Sequence, residues 1–352
     1  MKIDSGISSK VLTISQDYLP PLGGIAQVVY SYDKYVFENF KTLRIKKGGN
    51  AWIGRIFIII SILKLITFLL IDRSIKIVHI HTGSYNRFYF NTFYLRIAKF
   101  FKKKVIMHIH GGAFAEYYNT NPRWIKAMLL KCDVIVALTS YWEKFFKEKV
   151  GCDNVVIVNN IIETPQYTNI TKDADCKDFL FLGKVCKEKG IYDLIDVLNE
   201  HKTEFEGKIK LHIGGGGEIE KLKKMIADNS LQEIVEYEGW VSRNKKISLL
   251  NKCNIYILPS YIEGLPISIL EAMSYGHYII STTVGGIPEI ITNKDEGFLI
   301  TPGDKEAIYS AIKYSLEEKN IEKTKNHRIK KTLKHQPEEI SKELKVIYTK
   351  LL

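Results

Sequence analysis

Two sets of short β-branched runs, parted by one polar stretch, constrain this chain more than anything else in its sequence. The first set is "KVLTISQ" (10–16), "IKIVHIH" (75–81), "KVIMHIH" (104–110), "DVIVALT" (133–139) and "NVVIVNN" (154–160), with longer helix-compatible stretches between them. Near-continuous apolar strands alternating with helices predict a parallel sheet covered on both faces. "IIETPQYTNITKDADCKD" (161–178) is polar, turn-rich and aperiodic, and reads as a linker. The pattern then restarts with "DFLFLGK" (178–184), "KIKLHIGGG" (208–216), "VEYEGW" (235–240), "CNIYILPS" (253–260), "YIISTT" (278–283) and "GFLIT" (297–301). At 352 residues the chain is longer than one hydrophobic core usually supports, so the reading is α/β with two doubly wound domains, 1–165 and 166–335. In such folds ligands bind at the carboxyl ends of the strands, and two of them in tandem predict a cleft there.

A composition of 45% hydrophobic and 26% charged residues excludes a mainly disordered chain. Cys132, Cys152, Cys176, Cys186 and Cys253 are odd in number and form no CxxC pair, which points to a reducing cytoplasm. The opening "MKIDSGISSKVLTIS" is polar and does not read as a cleavable signal. A net charge of +12 favours a polyanionic partner: nucleic acid, an anionic membrane face or phosphorylated small molecules. "AWIGRIFIIISILKLITFLLID" (51–72) approaches the length of a membrane span, but Arg55 and Lys64 interrupt it and a strand follows at once. A buried or interfacial helix is the expectation.

The chemistry concentrates in "EGLPISILEAMSYG" (263–276). Pro266 suits a first helical position, which leaves the amides of Gly264, Leu265 and Ile267 at the positive end of a helix, an anion site. Glu263 lies at this mouth and Glu271 about two turns in. A carboxylate on a buried helix needs hydrogen-bond donors, and a sugar diol supplies two. Two carboxylates flanking an anion site suit a ligand with phosphates in the middle and hydroxylated rings at both ends, the shape of a nucleotide sugar.

"FLGKVCKEKG" supplies Lys184 and Lys189 after a strand as counter-charges for a diphosphate. Gly214 to Gly217 allow either close backbone approach to a ligand or a tight turn, and they lack the spacing of a dinucleotide fingerprint. In the first half Gly23 and Gly24 stand between the first strand and the first helix, and His110 ends a strand before two glycines. The Asp-x-Asp of Asp173 and Asp175 sits in the linker with no strand to aim it, so no metal site is expected.

With these residues in hand, "PSYIEGLPISILEAMSYGHYIISTTVGGIPEIITNKDEGFLITPGD" (259–304), supported by "FLGKVCKEKG", "HIGGGG", "HIHGG" and the early "GG" loop, resembles the family 4 retaining glycosyltransferases of GT-B fold, with two Rossmann-like domains facing each other across a cleft. The resemblance implies that Glu271 holds the donor ribose and that Glu263, with the amides of Gly264, Leu265 and Ile267, faces the transferred sugar and its β-phosphate. It implies further that Lys184 and Lys189 neutralise the diphosphate, that Gly24 contacts phosphate and that His110 contacts the sugar near the reacting carbon. The family usually has arginine at the position of Lys184, so a bidentate fork is given up there. "GGIPE" (285–289) is expected to line the same site, and 336–352 to cross back to the first domain as a helix. The implied reaction is metal-independent transfer, with no cofactor, of a sugar from a UDP- or GDP-sugar to a glycan or lipid-linked saccharide in surface polysaccharide biosynthesis, in the cytoplasm at the inner face of the cell membrane. "YNRFYFNTFYLRIAKFFKKK" (85–104), basic and aromatic, is the expected contact with anionic lipid. A nucleotide-sugar epimerase of the same fold and a basic membrane- or nucleic-acid-binding protein are the alternatives; no recognised nucleic-acid module is found.

Overall fold

The computed structural model describes residues 2–46, 51–167, 177–317 and 321–352. They form two compact units, Met1–Glu163 joined by Lys334–Leu352, and Thr164–Leu333. Asp173 and Asp175 lie outside the described residues.

The first unit is a six-stranded parallel sheet of β1 (Val11–Gln16), β2 (Lys41–Ile45), β3 (Ile77–Thr82), β4 (Lys104–Ile109), β5 (Val134–Ala137) and β6 (Val155–Ile157), in the order β2-β1-β3-β4-β5-β6. The five apolar runs account for all but β2. That strand, "KTLRI", is an edge with one buried residue, so it carries no continuous apolar signal. The chain leaves β1 toward β2 and returns through β3 to the other side, which makes the β1/β3 boundary the switch point where ligands of such sheets bind.

The last segment belongs to this unit. His335 O accepts from Ile162 N at 3.0 Å, and Pro337 takes the first position of the helix Pro337–Leu351. That helix buries Ile340, Leu344, Ile347 and Tyr348, and the Tyr348 hydroxyl lies 2.7 Å from His79 Nδ1.

Of the two expectations for the apolar stretch, buried or interfacial, the helix Ala51–Ile71 does not meet the first within its own chain. It packs on the unit through Ser61, Leu65 and Leu69, with Ser61 Oγ 2.6 Å from the Tyr94 hydroxyl, yet only 17% of its most apolar window is buried. The aromatic stretch at 85–104 is in part core and in part exposed. It forms the helix Asn86–Phe100, whose Phe88, Tyr94 and Leu95 are core, leaving Tyr89 and Phe100 exposed.

The second unit repeats the architecture with β7 (Lys177–Leu182), β8 (Ile209–Gly214), β9 (Val235–Gly239), β10 (Ile255–Leu258), β11 (Tyr278–Thr282) and β12 (Gly297–Ile300), all parallel, in the order β12-β11-β10-β7-β8-β9. Its switch point lies between β7 and β10. A buried Arg328 pins the far end of the helix that follows β10. Its guanidinium donates to Gly276 O at 2.9 and 3.0 Å, to Asp295 O at 2.7 Å and to Ile321 O at 2.5 Å. A charge this deep is tolerable only because its donors are satisfied.

Candidate active site

In the second unit the site grows from loops that follow β7, β8, β10 and β11. Positive-φ glycines let them approach closely. Gly215, at φ +144°, would place a Cβ 1.9 Å from Gly183 O, and Gly190, at φ +68°, would place one 1.9 Å from Pro259 O. Val185 is sewn to the glycine run at both ends, its N–H donating to Gly216 O and its carbonyl accepting from Glu218 N. The run Gly214–Gly217 therefore serves backbone packing against the loop after β7.

This packing sets two carboxylates in place. Glu263, buried in the loop after β10, accepts on Oε1 from Lys189 Nζ at 2.6 Å and from Ser260 Oγ at 2.8 Å. Glu271, on the helix Ile267–Ser274, accepts from Lys246 Nζ at 2.6 Å. Between them, under the loop, lies the fully buried Tyr256, whose hydroxyl donates to Leu182 O. Burial pushes its pKa well above the usual phenol range, with the charges of both Glu263 and Glu271 adding to the rise.

Two details differ from the sequence reading. Pro266 is the residue before the helix, not its first residue, because its ψ of 118° keeps the chain extended and helical geometry starts at Ile267. Glu271 is the fifth helical residue, about one turn in. Leu270 and Met273 are fully buried as expected. The amides of Gly264, Leu265 and Ile267 precede or open this helix, where a helix concentrates positive potential. From β11, Gly286 N donates to Gly264 O at 2.7 Å, so "GGIPE" is brought against the same loop.

Lys189 is thus joined to Glu263, whereas Lys184 is exposed at the outer side of the loop, where its charge acts on Glu188 and Cys186. Lys246 and Ser260 were missed from sequence. Lys246 lies in "SRNKKISLL", a helix whose cations give no hint of which one turns inward. Ser260 could have been found, since it stands three residues before Glu263 at a strand end.

In the first unit His110 follows β4, its N–H donating to Thr82 O at 2.8 Å and its Nε2 lying 3.0 Å from His81 Nδ1. Its pKa is depressed to about 3, chiefly by desolvation, with a hydrogen bond to Asn160 opposing and the nearby Arg87 charge adding to the fall. The imidazole is neutral at physiological pH. It ends a row of four rings, His79, His81, His108 and His110, whose neighbouring centroids lie 4.1 to 5.4 Å apart. Gly24 opens the helix Gly24–Ser31 after β1, with open space around it. His110 and Gly24 are thus placed in the first unit, while the other predicted residues belong to the second.

Among the described residues, two sets could hold a metal: His79, His81 and His108, and His212, Glu236 and Glu238, each with ligand atoms within 4.8 Å of one another. In the first set the His79 and His108 rings lie nearly parallel, 7° apart, instead of converging on a point. In the second, His212 and Lys245 already occupy Glu238. Neither set touches the carboxylates above.

Residues 166–336 match the family Glycosyl transferases group 1. An uncharacterized glycosyltransferase of Methanocaldococcus jannaschii is 28% identical over 66% of this chain and 64% of its own length. The amylovoran biosynthesis glycosyltransferase AmsK of Erwinia amylovora is 24% identical over 62% of this chain and 56% of its own. The chain therefore spans less than two thirds of these relatives. Anabaena HepE, solved in complex with UDP and glucose, is 15% identical, covers 97% of this chain and 99% of its own with a TM-score of 0.77, and so shares the fold.

Proposed function

From a chain that has the GT-B fold and carries a group 1 glycosyl transferase domain over residues 166–336, we propose a glycosyltransferase that moves a sugar from a nucleoside-diphosphate sugar with retention at the anomeric carbon. The observation that carries this reading is the pairing of Glu263 with Lys189 and of Glu271 with Lys246, from segments that follow β7, β9 and β10. Each carboxylate offers oxygens to sugar hydroxyls, and Lys189 offers charge to a phosphate.

In this reading Glu271 holds the ribose hydroxyls. The amides of Gly264, Leu265 and Ile267 and the ammonium of Lys189 take the diphosphate. As the glycosidic bond to phosphate breaks, negative charge grows on the leaving oxygen, and groups already aimed at it stabilise that charge without reorganising. Glu263, fixed by Lys189 and Ser260, meets the transferred sugar. Charge neutralisation by lysine and helix dipole makes the reaction independent of a divalent metal. Lys184, exposed in the unliganded chain, adds to the diphosphate once donor is bound. His110, neutral, and Gly24 belong to the other unit; in this reading His110 meets the transferred sugar and Gly24 a phosphate.

UDP-sugars come first as donors, because HepE was solved with UDP. The acceptor we assign is a glycan or lipid-linked saccharide of a surface polysaccharide, supported by the likeness to an amylovoran biosynthesis enzyme.

The test is thermal stabilisation of purified protein by UDP-, GDP- and ADP-sugars in EDTA, in wild type and Glu271→Ala. Stabilisation by one series that the variant loses supports the donor site. Release of nucleoside diphosphate in step with a glycosylated product separates transfer from epimerisation, and the anomeric proton coupling of that product reports retention. No stabilisation by any series overturns the reading.

A further inference from the structure

The helix Ala51–Ile71 has a composition at odds with its surroundings. Over Ile53–Ile71 its mean hydropathy is 2.3, and it is apolar all round. Helices of that kind are normally enclosed by protein or lipid. This one is not enclosed by its own chain: Ile53, Ile56, Ile59, Ile60, Leu63, Phe68, Leu70 and Ile71 are all exposed. The opposite face, Ser61, Leu65 and Leu69, is committed to the unit, with the Ser61–Tyr94 hydrogen bond beneath it. A patch of eight large apolar side chains on one helix exceeds what a water-exposed surface carries without a partner.

The charges around the patch identify that partner. The helix contains no acidic residue, and its exposed side carries Arg55 and Lys64, long side chains that can keep a charge at a headgroup while the stem lies among acyl chains. At its carboxyl end the chain packs against the turn after the helix Asn86–Phe100. Lys103 Nζ donates to Ile75 O at 2.7 Å, and Lys104 N donates to Lys76 O. This gathers Arg73, Lys76, Lys102 and Lys103 beside the two most exposed large apolar side chains, Ile71 at 78% and Phe100 at 82%. Arg73, Lys76 and Lys102 form no salt bridge among the described residues. An apolar stripe bordered by exposed cations is complementary to an anionic bilayer surface.

We propose that the exposed face of Ala51–Ile71 lies in the plane of an anionic membrane, inserted to the depth of its isoleucine and leucine side chains, while Ser61, Leu65 and Leu69 hold it to the unit. An in-plane position keeps those buried contacts, whereas a helix crossing the bilayer would have to abandon them. The proposal does not depend on the donor chemistry proposed above, and its test uses no sugar nucleotide.

Full-length protein is floated with vesicles of phosphatidylcholine alone or with 30% phosphatidylglycerol, a lipid fraction chosen on the order of that in anionic leaflets. Wild type is expected to float with the anionic vesicles. The triple variant Ile56→Ser, Ile59→Ser, Leu63→Ser, altered only at exposed positions, is expected to bind at least tenfold more weakly with unchanged circular dichroism. Arg73→Gln with Lys76→Gln and Lys102→Gln is expected to lose the preference for anionic lipid. Three results overturn the proposal: wild type that stays unbound at low salt, a serine variant that binds as wild type does but loses self-association, and membrane-bound protein that resists both high salt and alkaline extraction, which marks a spanning helix.

Discussion

Lys189 Nζ lies 2.6 Å from Glu263 Oε1, and the Ser260 hydroxyl donates to the same oxygen. A cation delivered by the loop after β7 thus fixes a buried carboxylate delivered by the loop after β10, across the switch point of the sheet. The pair arranges in advance what a donor would need: a charge to meet phosphate and an acceptor to meet hydroxyls. Its two members are therefore expected to fail differently. Lys189→Ala strips the charge that faces the diphosphate and leaves Glu263 buried beside only a hydroxyl. Glu263→Gln keeps the shape and removes the charge.

Removing one preorganised electrostatic group typically lowers kcat about 10²- to 10³-fold. We expect Glu263→Gln to lose about that much kcat with little change in donor KM. Lys189→Ala should raise KM and lower kcat together, and the double variant should lose less than the product of the two. Steady-state kinetics with varied donor checks this; strictly additive losses would separate the two residues functionally.

Lys246 and Glu271 form the second pair, also 2.6 Å apart. Breaking a partly buried charge-assisted bond leaves the carboxylate without compensation, so Lys246→Met should cost about 1–3 kcal/mol of stability. Bound donor supplies hydroxyl donors to the same carboxylate. Saturating donor should therefore raise the Tm of Lys246→Met by more than it raises that of wild type. Differential scanning fluorimetry with and without donor reads this directly, and equal increments would place Glu271 outside the donor site.

The histidine row makes the first unit acid-labile. His79 and His110 have pKa values depressed to about 3 and His335 to about 4, while His81 and His108 are held well below the usual range, all chiefly by burial. In the unfolded chain each protonates near pH 6.5. Below that pH the unfolded state binds more protons, so stability falls as pH drops from about 6.5 toward 3 and is fully present above 6.5. Each proton in excess contributes a slope of about 1.4 kcal/mol per pH unit. Neither ring nitrogen of His108 has a hydrogen-bond partner among the described residues. His108→Leu should therefore fold and flatten the pH dependence by one proton. Urea unfolding at pH 7.5, 6 and 5 checks both statements, and a wild-type profile flat over that range would contradict them.

Much of this molecule could be read from its sequence, and the exceptions share a cause. Ten of the twelve strands are interior or strongly apolar and announced themselves by apolar runs; of the two edges without such a run, each with a single buried residue, β9 was read from "VEYEGW" and β2 was not. Glu263 and Glu271 were legible because carboxylates among buried residues demand partners. Lys246 was not, because among Arg243, Lys245, Lys246 and Lys252 on one polar helix only three-dimensional packing selects the residue that reaches Glu271. The helix Ala51–Ile71 was legible as apolar but not as exposed, since composition does not say what covers a surface. The glycine run after β8 was legible as a special backbone, yet whether it served a ligand or a neighbouring loop required coordinates.

Gly285 offers a test of how backbone geometry supports the carboxylate. It has φ +56°, and a Cβ there would lie 2.0 Å from Glu263 O and 2.9 Å from Gly264 O. Gly285→Ala must therefore displace the loop that carries Glu263 and the anion-facing amides. Gly207, at φ +74°, has nothing within 4 Å of the same position and is the control. Left-handed backbone alone costs an alanine roughly 1–2 kcal/mol, so Gly207→Ala should lower stability by about that much and leave activity intact. Gly285→Ala should cost more and also weaken donor binding, because a displacement of about 1 Å at such a site is enough to lose about 10²-fold in rate. Calorimetric donor titration of both variants distinguishes the cases. If Gly285→Ala bound donor as tightly as Gly207→Ala, the close approach of these two loops would serve the fold and not the site.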